Sequence, residues 1–301
     1  MLIDDAALER FSTDQSMYRI RPLAVVMPAD VADVVAVVRF AADEGIPLTA
    51  RGGGSGTAGA ALGRGIVLAF DRNGPLNRVE GLTETEGGLR VTVEPGLIHD
   101  TLQQKLRERG YYLPADPSSG AISEVGGNIA TKASGPHALK HGSIDRYLEA
   151  VQFVTVDGEL VDTADERSVP PRIRDGVLAL RDEVLADAAV VARLDARKNM
   201  KLASGYNLFA FLRDLPVGGL VAQLLVGSVG TLGVVVRGTL TAEPYVEGKS
   251  SMLLFFRHLE EAGDMVQYVK PLGVAAIEIV NSRSLEVIRA RNPDLDMPAG
   301  D

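Results

Sequence analysis

The 301-residue sequence predicts an α+β fold. Segments with apolar residues at helical spacing follow segments in which apolar residues alternate or run together, and glycine-rich turns separate them. The 32 glycines give an unusual supply of permissive backbone positions, while 46% hydrophobic and 24% charged residues describe a chain that packs a core rather than staying disordered.

Taken in order, Asp30 to Glu44 places Val31, Val34, Val35, Val38 and Ala42 on one helical face, after a capping Asp30 and before Gly45. Ile46 to Ala50 reads as a short strand entering a glycine cluster, and Gly65 to Phe70 as the next apolar strand. Leu89, Val91 and Val93 alternate along a strand that stops at Pro95-Gly96, and Ile98, Leu102 and Leu106 give the next helix its buried stripe. From Leu113 to Gly142 the chain shows little periodicity, a long loop of the kind that is usually functional. Val151 to Val156 and Glu159 to Val161 flank Asp157-Gly158 as a β-hairpin. Ile173 to Arg193 and Gly219 to Val226 read as helices, and Thr231 to Leu240 as a strand ended by Pro244. Ser251 to Phe256, Leu259 to Val269, Val274 to Val280 and Ser284 to Ala290 read as strand, helix, strand, helix, although two strands make a poor sheet alone.

Composition excludes several functions. A formal charge of −9 opposes nucleic-acid binding, which needs a basic surface for counterion release. With no cysteine, the chain holds no disulfide, thiolate zinc site or cysteine-ligated iron–sulfur cluster. No run approaches the roughly 18 apolar residues of a membrane span, and no basic-then-apolar leader opens the chain, so a cytoplasmic location is expected.

Gly54-x-Gly56-x-x-Gly59 formally matches a dinucleotide fingerprint, but that motif must open a helix, and here the chain runs on through glycines into a strand. The glycines between Arg51 and Thr57 instead suit a backbone nest, in which several N–H groups aim at one anion. Of the four histidines, His99, His137, His141 and His258, only His137 and His141 share a helical spacing, and no nearby carboxylate motif completes a metal site. No metal is expected. His99 is expected at the surface or as a satisfied core residue.

Several landmarks occur in a fixed order: Thr13-Asp14-Gln15-Ser16; Pro47 to Gly59; Val93-Glu94-Pro95-Gly96; Asp116-Pro117-Ser118-Ser119; Gly126 to Thr131; Ser204 to Leu208; and Gly227 to Gly233. From Tyr18 to Pro244 the arrangement resembles the FAD-binding domain of the vanillyl-alcohol oxidase and p-cresol methylhydroxylase superfamily, and within it the glycolate oxidase and D-lactate dehydrogenase-like FAD-linked oxidases. The resemblance implies an FAD-binding domain over 1–245, with subdomains of about 18–75 and 76–245, and an incomplete α+β cap beginning at 246–301.

It also implies a set of cofactor-binding residues. Arg51, Gly52, Gly53, Gly54, Ser55, Gly56 and Thr57 would wrap the pyrophosphate. Pro117, Ser118, Ser119, Gly126, Gly127, Asn128, Ala130 and Thr131 would line the flavin and its ribityl chain, with Gly135 and His137 beside them. Gly227, Ser228 and Gly230 would close the other side. Small residues let a ring lie flush on backbone, and the polar ones can bond groups otherwise costly to bury. Gly54 and Ser55 occupy the stretch where covalent relatives carry a histidine, so non-covalent FAD is expected. Lys132 stands where relatives more often have an amide; it either faces the flavin and stabilises its reduced anion, or faces water.

The implied activity is oxidation of a small 2-hydroxy acid, of glycolate or D-lactate type, by hydride transfer to FAD. Electrons would pass to an acceptor such as an iron–sulfur protein or a quinone. The alternatives are a truncated or non-catalytic FAD-binding subunit that needs a partner, and another alcohol or aldonolactone oxidase of the superfamily. Catalytic residues are not identified, and Glu278 is given no role.

Overall fold

The structure is a computed structural model that describes residues 1–198, 200, 202 and 205–293. Helix α1 (Asp5–Arg10) precedes β1 (Ala24–Val26), α2 (Val31–Asp43), β2 (Leu48–Arg51) and β3 (Ile66–Ala69). The strands form a parallel sheet of order β1-β3-β2. Asp30 begins α2 as expected, its carboxylate accepting from the Asp33 N–H at 2.9 Å. All four residues of β3 are buried, because both faces of this central strand are covered. Val67 packs on one side with Val25, Leu8 and Phe11, and Leu68 on the other with Val34 and Val38.

Next come β4 (Val79–Thr85), β5 (Gly88–Val93), α3 (His99–Arg107), β6 (Tyr111–Tyr112), α4 (Val125–Ala130), α5 (Ala138–His141), β7 (Leu148–Val154) and β8 (Leu160–Asp162). Helices α6 (Pro171–Ala186), α7 (Ala188–Asp195) and α8 (Val217–Leu225) precede the long strand β9 (Val234–Pro244). These strands form an antiparallel sheet of order β4-β5-β9-β7-β8, with β6 paired to the end of β9. Val91 and Leu240 sit opposite one another on β5 and β9, both fully buried in a core shared with Leu102 and Leu106 of α3 and Leu225 of α8. Val154, Val234 and Val236 extend from this sheet into the cluster around Leu68, so a continuous apolar contact joins the two sheets.

Gly238 lets α4 lie close on β9: a Cβ there would stand 2.5 Å from Ile129 Cδ1. The site is thus built on a helix seated against the central strand.

Several expectations change. The segment 113–142 is not a structureless loop, since it contains α4 and α5; at six and four residues, the first with two glycines, neither is long enough to show an apolar periodicity. The single helix expected over 173–193 is two, broken at Asp187, which leaves helical geometry and caps α7 by accepting from Ala189 and Val190 N–H groups. In the hairpin turn only Gly158 is left-handed, at φ +72°, so the turn closes through one such residue rather than two. Strand β4 had no distinct signal, because Gly81 and its polar neighbours hide the alternation. Past β9, α9 (Leu259–Val269) and α10 (Ser282–Arg291) form as expected. The segments 251–256 and 274–280 join no ladder: a strand needs a partner, and among the described residues neither has one.

Gly65 fixes how β2 and β3 approach, since a Cβ there would lie 1.9 Å from the Pro47 carbonyl oxygen that accepts from Ile66 N–H. Gly65→Ala is expected to lower stability by about 3 kcal/mol or more in urea denaturation.

Candidate functional site

The segment leaving β2 begins with Arg51, which is half-buried and packs its guanidinium under Gly54. It donates to the Thr13 carbonyl at 2.9 Å and to those of Phe11 and Ala61 at 3.3 and 3.4 Å, over the Phe11 ring. Burial pulls its pKa down, and the negative charge of Asp14 works against that shift. Arg51 therefore braces the loop against the N-terminal segment. Gly54 turns the chain at φ +65°, and a Cβ there would meet the Arg51 guanidinium at 2.6 Å.

Gly52 and Gly53 then press against the second glycine stretch. A Cβ on Gly53 would lie 1.9 Å from the Ile122 carbonyl oxygen, and one on Gly52 would lie 3.3 Å from Glu124 Oε2 and 3.7 Å from Gly127 Cα. The Gly53 contact is a backbone-to-backbone approach that only glycine allows, whereas Gly52 lies against the Glu124 side chain. Gly126 and Gly135 are required by packing of another kind, against Pro95 and Asp116 respectively. Gly56, Gly127 and Gly230 face open space, with no atom within 4 Å of a built Cβ. Ser55 is half-buried, Thr57 and Ser118 are exposed, and Pro117 and Ser119 are half-buried in the turn whose carbonyls accept from Gly120, Ile122 and Ser123 N–H groups.

On α4 the polar side chains are largely committed within the protein. The Asn128 amide lies 3.3 Å from His99 Nδ1. His99 Nε2 lies 3.3 Å from the Gln103 amide, which is itself held by paired bonds to the Leu113 backbone. His99 is 1% exposed and burial lowers its pKa, so it is a neutral, satisfied core residue, the second of its two expected places. Thr131 Oγ1 donates to the Gly127 carbonyl at 2.8 Å.

Lys132 meets neither expectation. Its side chain is 8% exposed and pairs with Asp145 Oδ2 at 3.2 Å, while its backbone is left-handed at φ 54°. The pair holds the turn after α4 against the third stretch, where Gly227 sits 3.4 Å by built Cβ from the Lys132 Cβ. Val229 N–H donates to the Ala130 carbonyl at 2.9 Å, which brings Gly227, Ser228 and Gly230 to the C-terminal end of α4. Ser228 is buried and accepts from Thr231 Oγ1 at 2.7 Å. Ser204, in the landmark before this stretch, lies outside the described residues.

His137 Nδ1 bonds Asp116 Oδ2, and Asp116 Oδ1 is buried without a partner. His141 turns to a different carboxylate, Glu243, at 3.9 Å, and burial lowers its pKa. Among the described residues no group of three or more His, Asp or Glu side chains is placed to hold a metal.

Sequence reasoning passed over Glu124. It is 3% exposed, its Oε2 has no hydrogen-bond partner, and it sits between the two glycine stretches. Burial pushes its carboxyl up to about 8; Asp71 adds to the shift, and Arg72 and Arg51 oppose it. The available signal was a charged residue within an otherwise small and apolar run, Ser123-Glu124-Val125-Gly126-Gly127.

Residues 22–164 match the family described as FAD binding domain. The match takes in a little under half of the chain. The residues present suit a flavin dinucleotide: three glycines present bare backbone to open space, and Gly53 allows two main-chain stretches to converge. The chain is 28% identical over 292 residues to D-2-hydroxyglutarate dehydrogenase of Escherichia coli, covering 92% of this chain and 28% of that protein. It is 25% identical to glycolate oxidase subunit GlcD of Bacillus subtilis, over 90% of this chain and 48% of that one. Against D-lactate dehydrogenase of Archaeoglobus fulgidus the figures are 26%, 87% and 48%. The chain thus spans between about a quarter and a half of the length of these relatives. The fold is shared with alkyldihydroxyacetonephosphate synthase, at TM-score 0.56 and 18% identity over 82% of this chain and 38% of that one.

Two outcomes are expected of this FAD-binding domain. Gly53→Ala forces the two glycine stretches apart, so the purified variant should fold by circular dichroism yet carry no yellow cofactor. For flavin-free protein, the raised Glu124 carboxyl makes stability pH-dependent in a fixed direction. Below about 4.5 the group is protonated in both states and costs nothing; as pH rises to about 8 the unfolded chain releases the proton and the native state does not, so stability falls. Glu124→Gln should therefore match the parent near pH 4.5 and exceed it by about 2–4 kcal/mol above pH 8, read from denaturant midpoints.

Proposed function

We propose that this chain is the cofactor-holding part of an FAD-dependent oxidoreductase that oxidises a small D-2-hydroxy acid of the glycolate, D-lactate or D-2-hydroxyglutarate type. The observation that carries the reading is the close approach of Gly53 to the Ile122 carbonyl, with bare backbone open on Gly56, Gly127 and Gly230 nearby in the sequence landmarks. Relatives named for three such acids supply the substrate class.

In this reading the N–H groups of 52–57 face the pyrophosphate, and the backbone at Gly126 and Gly127 with Pro117 and Ser118 flanks the ring and ribityl chain. The turn 227–230 closes the opposite side, and Gly135 and His137 border the cleft. Bound flavin supplies the hydride acceptor. The chain's own residues orient it: Arg51 locks the first loop, the His99 and Asn128 contact fixes α4, and the Lys132–Asp145 pair sets the turn beyond. His137 is held by Asp116. Subdomains of about 18–75 and 76–245 would each contribute one wall, with a substrate-side domain starting at 246.

The binding is non-covalent in this reading, because Gly54 and Ser55 occupy the stretch where covalent relatives carry a histidine. Electrons leave to a separate acceptor, an iron–sulfur protein or a quinone. No helix among the described residues is long and apolar enough to cross a membrane, and we place the protein in the cytoplasm. A second reading, a flavin-binding subunit completed by a partner, is favoured by the exposed run Met252-Leu253-Leu254-Phe255-Phe256.

Anaerobic titration of the yellow protein with glycolate, D-lactate and D-2-hydroxyglutarate should bleach the visible flavin absorbance with at least one of them. Bleaching by aldonolactones or simple alcohols alone would move the assignment to another oxidase of the superfamily. Acid precipitation should leave the flavin in the supernatant; a yellow pellet would refute the non-covalent assignment.

A further inference from the structure

The strongest unexplained feature of the cleft is Glu124. The residue before α4 has an extended backbone suited to capping, yet its carboxyl makes no capping bond. Instead the side chain turns into the space between the two glycine stretches, 97% removed from solvent, with Oε2 unpartnered and 3.3 Å from a Cβ built on Gly52. A buried polar atom without a partner costs about 1–3 kcal/mol, so such an atom at a cleft wall invites a ligand partner. Gly52 also opens the loop proposed to grip a pyrophosphate. An ionised carboxylate beside a phosphate would add like-charge repulsion in a poorly solvated place, whereas a neutral carboxyl offers an O–H to a phosphate oxygen.

We propose that Glu124 meets the bound dinucleotide as a neutral carboxylic acid, donating its proton in a hydrogen bond to a pyrophosphate oxygen, so that cofactor retention is coupled to pH. This rests on the FAD-binding reading above and adds to it a residue and a regulation.

The charged and titratable groups around Glu124 agree with this. From the end of β2 comes Arg51, already bonded to three carbonyls. After β3 come Asp71, which favours the neutral acid, and Arg72, which opposes it. From the start of α3 comes His99, neutral in the core. From the end of β5 comes Glu94, bound in both oxygens by Arg78. On the far side of α4, Lys132 is taken up by Asp145. Arg51, Arg78 and Lys132 are each engaged by other groups, and Arg72 is the cation whose charge still opposes the neutral acid.

The test is the affinity of flavin-stripped protein for FAD, followed by quenching of FAD fluorescence between pH 6 and 9.5, with folding checked at each pH by circular dichroism. The parent is expected to bind with constant affinity on the acid side and to weaken by up to about tenfold per pH unit above about 8. Glu124→Gln, which keeps a donor that does not titrate, should bind with no such slope. Glu124→Ala should bind more weakly and also without slope. A flat parent profile, or the parent's slope persisting in Glu124→Gln, overturns the proposal. A measurement on the parent alone makes the same decision if the variants misfold. Calorimetric titration with FAD at pH 9, in buffers of different ionisation enthalpy, should show uptake of about one proton per FAD, and no uptake overturns the proposal. Failure of the parent to bind FAD at any pH would instead refute the underlying reading.

Discussion

The contact between Gly53 and the carbonyl of Ile122 sets the geometry on which the rest of the site depends. At this point two main-chain stretches about 70 positions apart in the chain meet backbone to backbone, and a single methyl would need the space of the carbonyl oxygen. That approach is possible only because each stretch is anchored behind. Arg51 ties the first to the N-terminal segment, and α4 ties the second to β9 through Ile129 on Gly238. The apolar cluster in which Leu68 meets Val154, Val234 and Val236 holds the two sheets at the distance that brings the stretches together.

Behind the glycines lies a polar layer that is almost fully paired. His99, Gln103 and Asn128 join α3 to α4 without a net charge, and the Lys132–Asp145 pair closes the far end. A buried ion pair adds little net stability over apolar packing, but removing one partner leaves an uncompensated charge, which costs far more. The pair therefore acts as a device that allows one arrangement of the turn after α4. Glu124 and Asp116 Oδ1 stand out against this background because they are buried and unsatisfied where their neighbours are not.

Beyond β9 the physical situation changes. The helices α9 and α10 bury no residue completely, and large apolar side chains from Met252 to Phe256 stay in contact with solvent. Helices close their hydrogen bonds within themselves, so they need no neighbouring strand to pair with. Strands require a neighbour, and 251–256 and 274–280 find none among the described residues.

The sequence by itself determined the features that depend on near neighbours. The helix after Asp30, the alternation of Leu89, Val91 and Val93, the hairpin at Gly158 and the order of the glycine landmarks were all legible from residues two to four apart. Only the tertiary structure decided which strands meet, why β9 becomes the centre of its sheet, that Lys132 turns to Asp145, and that Glu124 is enclosed between loops. Each of these is set by atoms distant along the chain, and the energies involved, burial of a charge and closure of a backbone gap, exist only once those distant parts are in contact.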